Sequence, residues 1–349
     1  MDYWKDISRQ SVTTFNELKK QINCNNDAIK DVIATFPMRI NPYFLNLIKK
    51  YGEPLRRQAV PDIREIQDTV CVEDPLAEEN LSPVENLVHR YPDRALLLVT
   101  NKCAMYCRFC TRKRKVGTDK MHISAKSLDN AYDYLRKNPQ IREILISGGD
   151  PFMLDDMEIE EILRKIRSIP SIEVIRIGTR VPCTLPMRIT SQLADMLHKY
   201  HPLYINTHFN HPYEITPEAQ KACITLADRG IPLGNHTVLL KGVNDDVTTM
   251  RRLLLDLLKI RVKPYYLFQT DLTCGTNHFR TPTKKGIEIM RGLIGHISGM
   301  AVPTFAIDAP GGKGKIPLTP EYIVHRGEHL CFKNYQDEIC SYPEIIDVE

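Results

Sequence analysis

Cys103, Cys107 and Cys110 fall within NKCAMYCRFCTRKRK at residues 101–115, spaced Cys-x3-Cys-x2-Cys. Structural zinc normally takes four protein ligands, often as paired Cys-x2-4-Cys sets, and neither Cys24 nor Cys331 brings a second pair nearby. A four-iron cluster also normally takes four thiolates. Three close thiolates without an evident fourth suit a cluster that leaves one iron to a non-protein ligand. The alternative is simple packing, or zinc completed by a distant histidine. Beside the trio stand Arg108, Arg112, Lys113, Arg114 and Lys115, a local cationic patch that suits small anions better than a polynucleotide. A second candidate is DAPGGKGK at 308–315. It superficially matches a phosphate-binding loop, but Ala309 replaces the first glycine and Ile316 follows Lys315 where Ser or Thr should hold magnesium, which disfavours a nucleoside triphosphatase. What survives is a glycine-rich loop presenting one lysine. Shielded, Lys315 can form an imine with an aldehyde cofactor such as pyridoxal phosphate; exposed, it is a plain surface lysine.

The elements that must position these groups change character along the chain. Residues 1–94 read as helical segments broken by prolines, such as VTTFNELKKQI, NNDAIKDVIATF and PYFLNLIKKYG. From Ala95, short apolar runs alternate with helix-period segments: ALLLVTN, EILISGGDP, EVIRIGTR, PLYINTHFN, PLGNHTVLL and PYYLFQTD. Six strand–helix alternations predict parallel strands buried on both faces, because a parallel connection needs a crossover. Spacing of about thirty residues suits a barrel or partial barrel, with chemistry at the C-terminal strand ends. VPTFAIDAPGGKGKIPLTPEY lies outside the six-unit pattern and is expected to close one side, before a short polar tail. The expected parts are 1–94, 95–295 and 296–349.

A chain of 349 residues with 42% hydrophobic content can bury a large core. Its ten cysteines are a trio plus scattered positions, a poor match to a secreted disulfide framework, so a reducing, cytoplasmic setting is expected. No apolar run is long enough to span a membrane, and the start has no secretion signal. The net charge of +4 is mild and gives no general case for nucleic-acid binding.

The trio followed one unit later by SGGDP at 147–151 resembles the radical S-adenosylmethionine superfamily, with Phe109 at the aromatic position of the cysteine motif. The resemblance implies an α/β fold, a partial TIM-type (βα)6 barrel with an N-terminal helical segment and a short C-terminal extension. It also implies a [4Fe-4S] cluster on Cys103, Cys107 and Cys110, S-adenosylmethionine on its open iron, and an external electron donor of flavodoxin or ferredoxin type. Gly148, Gly149 and Asp150 would meet that cofactor, with Phe109 supplying a ring for adenine. Taken alone, Gly-Gly-Asp-Pro is an ordinary turn. HRYPDRALLLVTNKCAMYCRFCTRKRKVG, IRIGTRVP, NTHFNHP, VLLKGVNDD, PYYLFQTDL, HFRTP and VPTFAIDAPGGKGKIP narrow the resemblance to the lysine 2,3-aminomutase family, from about Tyr51 to Tyr322. That family implies pyridoxal phosphate on Lys315, its phosphate contacted by Arg94 with Arg90 and Tyr91 as neighbours, and the substrate carboxylate on Arg112. Arg180 and His208 would contact S-adenosylmethionine.

The family holds lysine, glutamate and other mutases. Asp271 and Asp308 stand where lysine enzymes bind the distal ammonium, whereas glutamate-specific relatives carry lysine and asparagine there. Two carboxylates in one site raise each other's pKa unless a cation sits between them, so a cationic amino acid is the consistent substrate. Lysine is expected; arginine, ornithine, and β-lysine supply for elongation factor P modification are alternatives, as is a zinc or nucleic-acid module outside enzyme chemistry. Asp308 as a turn cap and Asp271 as a solvated strand end are the plain readings. His236 stands where many relatives carry glutamine, and Asp246 where longer enzymes place a zinc cysteine. Cys331 and Cys340 do not reproduce that zinc set, so no structural zinc is expected; a homo-oligomer is left open.

Overall fold

The six apolar runs become strands whose residues alternate between buried and half-buried positions, most clearly in β3 and β4, where isoleucines are buried and polar or small residues are not. The computed structural model describes residues 3–24 and 26–344; Met1, Asp2, Asn25 and residues 345–349, which fall in the expected terminal parts, lie outside them. One sheet holds nine strands: β1 (Leu87–Tyr91), β2 (Arg94–Leu98), β3 (Glu143–Ser147), β4 (Val174–Gly178), β5 (Leu203–Thr207), β6 (Leu233–Leu239), β7 (Val262–Gln269), β8 (Thr304–Asp308) and β9 (Lys315–Pro317). Strands β2 to β8 are parallel neighbours in chain order, and β1 and β9 add antiparallel edges. The final run therefore contributes a seventh parallel strand and its return. Strand β1 lies inside the stretch read as helical: Leu87 and Val88 are buried, and so short a strand is masked by the surrounding turns.

Helices α1 (Tyr3–Arg9), α2 (Phe15–Gln21), α3 (Ile29–Thr35), α4 (Pro42–Tyr51) and α5 (Glu53–Ala59) precede the sheet. Between and after the strands come α6 (Ala125–Lys137), α7 (Asp156–Arg167), α8 (Val181–Thr184), α9 (Ser191–His198), α10 (Pro217–Ala227), α11 (Val247–Lys259) and α12 (Thr283–Leu293). Their buried residues recur at three- and four-residue spacing, as with Ile159, Ile162, Leu163 and Ile166 on α7 and Met250, Leu253, Leu254 and Leu257 on α11. Asp246 is the N-cap of α11, its carboxylate accepting from Thr249 N at 2.8 Å.

The strands are fully buried on one face only. Ile144, Ile146, Ile175, Ile177 and Ile205 meet the helices, whereas Glu143, Leu145, Ser147, Arg176, Gly178 and His236 on the opposite face are half-buried. That second face is polar because it lines the inside of the curled sheet, where a ligand rather than a second helical layer completes the packing. After β9 a separate antiparallel sheet of β10 (Ile323–His325), β11 (His329–Lys333) and β12 (Ile339–Pro343) ends the described chain. Among the described residues, no helix is long and apolar enough to cross a membrane.

Candidate active site

Between β2 and α6 runs an irregular segment that carries the three cysteines, and the glycine pair is what holds it. A Cβ on Gly148 would meet Thr100 O at 2.3 Å, and one on Gly149 would meet Lys102 O at 2.3 Å. Gly149 N donates to Thr100 O at 2.5 Å and Asp150 N to Lys102 O at 2.7 Å. The close approach expected toward a cofactor is thus made first to the backbone that leads into Cys103. Asp150 is occupied too: Oδ1 accepts from Thr179 Oγ1 and Oδ2 from Arg180 N, both at 2.7 Å, which ties the ends of β3 and β4 together.

Burial, then Asp150 and the other two thiols, pushes the Cys103 thiol well up; burial and then Cys107 push Cys110 up to about 11. Such thiols resist ionising until cationic iron takes up the charge. Among the described residues, no three His, Cys, Asp or Glu side chains converge as ligands of a single ion. The three thiols are near enough to raise one another, and three neighbouring cysteines fit a cluster that leaves one iron to another ligand.

A buried network flanks the trio. Arg180 donates from Nη1 to Cys107 Sγ at 2.8 Å, from Nη2 to Gln58 Oε1 and Glu214 Oε1, and from Nε to His208 O. Its guanidinium lies 5.1 Å from the Phe109 ring centroid, and the Phe109 and His208 rings are 5.4 Å apart. His208 is held neutral by burial, then by the Arg180 charge and His236, and its Nε2 meets Asn210 Oδ1 at 3.1 Å. Phe109, Arg180 and His208 therefore come together beside Cys107, with most of the Arg180 donors already used by protein groups.

Lys315 is placed by a hairpin. Gly311, Gly312 and Gly314 all adopt positive φ, which only glycine does without strain, and the β8–β9 register sets Lys315 opposite Asp308. Lys315 Nζ lies 3.2 Å from Asp308 Oδ2, over the rings of Tyr91 and Phe268 at 5.9 and 5.6 Å. Arg90 Nη1 donates to Asp308 Oδ1 at 2.6 Å. Arg94 stacks on Tyr91 at 3.8 Å, and Tyr91 Oη accepts from Lys315 N at 3.1 Å. A half-buried amine among aromatic rings with a stacked arginine nearby fits an aromatic aldehyde bearing a phosphate. Burial, then Arg176 and Lys315, push His236 down to about 3, so it is neutral; its Nε2 meets Asn206 Nδ2 at 2.8 Å and its ring packs 5.4 Å from Phe268.

Every cation of the patch beside the trio is paired inside the protein. Arg108 and Lys113 share buried Glu65, with Lys113 Nζ at 2.6 Å from Glu65 Oε2. Arg114 meets Asp74 and Glu79, and Lys115 meets Glu79. Arg112 forms a two-pronged bond to Glu78, Nε to Oε2 at 2.9 Å and Nη2 to Oε1 at 2.6 Å. The acidic segment 73–79 is in turn fixed to the hairpin, since Gly311 N donates to Pro75 O at 2.7 Å and a Cβ on Gly312 would meet Leu76 O at 2.7 Å. Asp271 lies within electrostatic reach of Asp308, Lys315, Arg90 and Glu78. Among the described residues its carboxylate accepts no hydrogen bond, and burial, followed by Asp308, raises it to about 7.

Residues 97–254 match the model of the radical SAM superfamily and residues 290–348 that of lysine-2,3-aminomutase. An L-lysine 2,3-aminomutase of Fusobacterium nucleatum is 48% identical over 98% of this chain and 83% of its own length. One of Acetoanaerobium sticklandii is 49% identical over 98% and 84%. The chain belongs to the lysine 2,3-aminomutase family. Membership makes it a radical S-adenosylmethionine enzyme of the isomerase class, and the cofactors of the family are a [4Fe-4S] cluster, S-adenosylmethionine and pyridoxal phosphate. The family is not uniform in substrate: a glutamate 2,3-aminomutase of Clostridioides difficile is 44% identical over 94% of this chain and 78% of its own length.

Glu65, Glu78, Gln58 and Glu214 were not legible as site residues. Each lies far in sequence from its partner, and the only signal was imbalance: a cationic patch needs anions, and CVEDPLAEE at 71–79 is the nearest acidic run upstream of it.

Proposed function

We propose that the protein interconverts L-lysine and β-lysine in the cytoplasm by moving the α-amino group to the β-carbon. The observation that carries this reading is Asp271, a half-buried carboxylate that accepts no hydrogen bond among the described residues, set near Asp308 and Lys315. A substrate ammonium between the two carboxylates relieves their repulsion, whereas a substrate side-chain carboxylate would add to it. In this reading residues 95–295 form the radical barrel, 1–94 its helical flank, and 296–349 the segment that brings Lys315.

When bound, the cluster and S-adenosylmethionine supply a 5′-deoxyadenosyl radical that takes hydrogen from the substrate, and pyridoxal phosphate supplies the π system over which nitrogen moves. Cys103, Cys107 and Cys110 would hold the cluster, with Phe109, Gly148, Gly149, Asp150, Arg180 and His208 around its nucleoside partner. Lys315 would tether the aldehyde through Nζ, and Arg94, Arg90 and Tyr91 would bracket its phosphate side. Arg112 takes the substrate carboxylate, and Asp271 and Asp308 take the distal ammonium. Fixing both ends of the substrate keeps the reacting carbon at contact distance from its hydrogen acceptor while the aromatic wall of Tyr266, Phe268 and His236 excludes water. An external flavodoxin- or ferredoxin-type protein supplies the electron.

The test is an anaerobic assay of reconstituted protein with L-lysine, scored for β-lysine by mass spectrometry, with Lys315→Ala and Asp308→Ala as controls. β-Lysine from wild type alone supports the reading. Reductive cleavage of S-adenosylmethionine without β-lysine overturns the substrate assignment and sends the search to ornithine and arginine.

A further inference from the structure

The guanidinium group offers two separate bidentate edges, a side edge of Nε and Nη2 and an end edge of Nη1 and Nη2. Glu78 occupies the side edge of Arg112, with bonds of 2.9 and 2.6 Å. Among the described residues, the only hydrogen-bonding partner of Nη1 on the end edge is Ser147 Oγ, 3.5 Å away at the tip of β3, a contact too long to hold it. Glu78 is itself 5% exposed and lies in the segment that the Lys315 hairpin grips through Pro75 and Leu76. Arg90 Nη2 also reaches Leu76 O, at 3.5 Å. One stretch of backbone thus links the carboxylate-binding arginine to the lysine hairpin.

We infer that Glu78 is the positioning residue for the substrate α-carboxylate: it fixes Arg112 by the side edge and turns the end edge toward the ligand. This rests on the mutase reading, in which Arg112 takes that carboxylate. Glu78 acts through Arg112 and touches no reacting atom. It also reaches Asp271 electrostatically. The charged groups facing Asp271 are Asp308 from β8, Lys315 from β9, Arg90 from β1 and Glu78 from the acidic segment; Asp308 and Glu78 push its carboxyl up, and Lys315 and Arg90 pull it down.

The test compares two ligands of the reconstituted holoenzyme without reductant, L-lysine and 1,5-diaminopentane, which keeps both amines and lacks the carboxylate. Affinities are read by calorimetry at pH 8. Glu78→Gln should weaken L-lysine about tenfold, the scale of one charge-assisted contact, and leave diaminopentane within about twofold of wild type. In an Arg112→Lys background, which has no fork to orient, Glu78→Gln should change L-lysine affinity by less than about twofold. The pH below which L-lysine binding falls should also move down in Glu78→Gln, because one negative neighbour of Asp271 is gone. Equal loss of both ligands, no loss of either, or a full loss that persists in the Arg112→Lys background overturns the inference. If Glu78→Gln does not accumulate, Glu78→Asp is read in the same assay; it keeps the charge but is one methylene short of the fork, so L-lysine alone should weaken with no movement in pH. Wild type that binds L-lysine through this fork yet makes no β-lysine overturns the proposed reaction and leaves the inference standing.

Discussion

The cationic patch beside the cysteine trio and Asp271, just beyond the C-terminal end of β7, treat charge in contrary ways. Arg108, Arg112, Lys113, Arg114 and Lys115 each have a carboxylate partner from the acidic stretches before β1. Asp271 has neighbours but, among the described residues, no donor, and burial followed by Asp308 pushes its carboxyl up to about 7. A dense run of one sign in a sequence therefore says little about ligands, because the chain can balance it internally. What marks a binding site is a charge left without a donor, as at Asp271, or a paired group with an edge still open, as at Arg112. The largest expected effect sharpens this contrast. Lys315→Ala removes both the tether and the cation at 3.2 Å from Asp308, and β-lysine formation should fall by at least about 10³-fold, since positioning of the cofactor is lost with it. Cluster content, measured as bound iron and acid-labile sulfide, should be unchanged. Loss of the cluster together with activity would show that the two regions are not separable.

Much of this site was legible because its signals are local. The trio and the hairpin glycines lie within a few residues of the atoms they position, and Gly148–Gly149 stand out as a compact motif although the backbone they hold, at Thr100 and Lys102, is distant in sequence. The βα alternation was legible from period alone, while β8 was missed as a parallel strand because no apolar helix follows it. The partners of the cations were not legible. Glu65 is 43 residues from Arg108, and Glu78 is 34 from Arg112; only folding brings them together. The expectation that strands are buried on both faces failed at Arg176 and Glu143 for a related reason: their ion pair, at 2.5 Å, makes a polar inner face stable.

Glu65→Gln attacks the balanced region where it is most deeply buried. Arg108 and Lys113 would keep their hydrogen bonds to Phe36 O, Pro37 O and Gly275 O but lose the one anion they share. Breaking a buried pair from one side typically removes about 3–5 kcal/mol, so chemical denaturation should show a loss of that size together with poorer iron loading. A variant as stable as wild type would mean that these backbone carbonyls alone hold the cysteine loop.

Asp271→Asn acts in the unbalanced region, and its effect on stability should be opposite in sign. The folded carboxyl is raised from its usual range to about 7, so the fold prefers the protonated form. Stability from that group is present below about pH 4 and is lost as pH rises through about 7. The amide removes this loss: the ligand-free variant should melt about 2–5 °C higher than wild type at pH 8, with the difference gone at pH 4, while L-lysine binding weakens. The same titration predicts that L-lysine affinity of wild type falls up to about tenfold per pH unit below about 7. A flat pH profile would place the ammonium elsewhere.

The smallest effect is expected at the rim. Lys115 pairs with Glu79 at 3.1 Å, and Glu79 is largely exposed and shared with Arg114. Water and salt screen such a pair, and Arg114 remains to hold the carboxylate, so Lys115→Ala should change stability by less than about 0.5 kcal/mol and leave β-lysine formation within about twofold. The measurement is a denaturant titration at low and high salt, beside Glu65→Gln. A salt-insensitive loss above about 1 kcal/mol, larger than an exposed pair supplies, would mean that the acidic segment is held by the sum of its pairs. The Glu78 fork would then owe its rigidity to rim charges as well as to burial, and the line between the two regions would move outward to include Lys115.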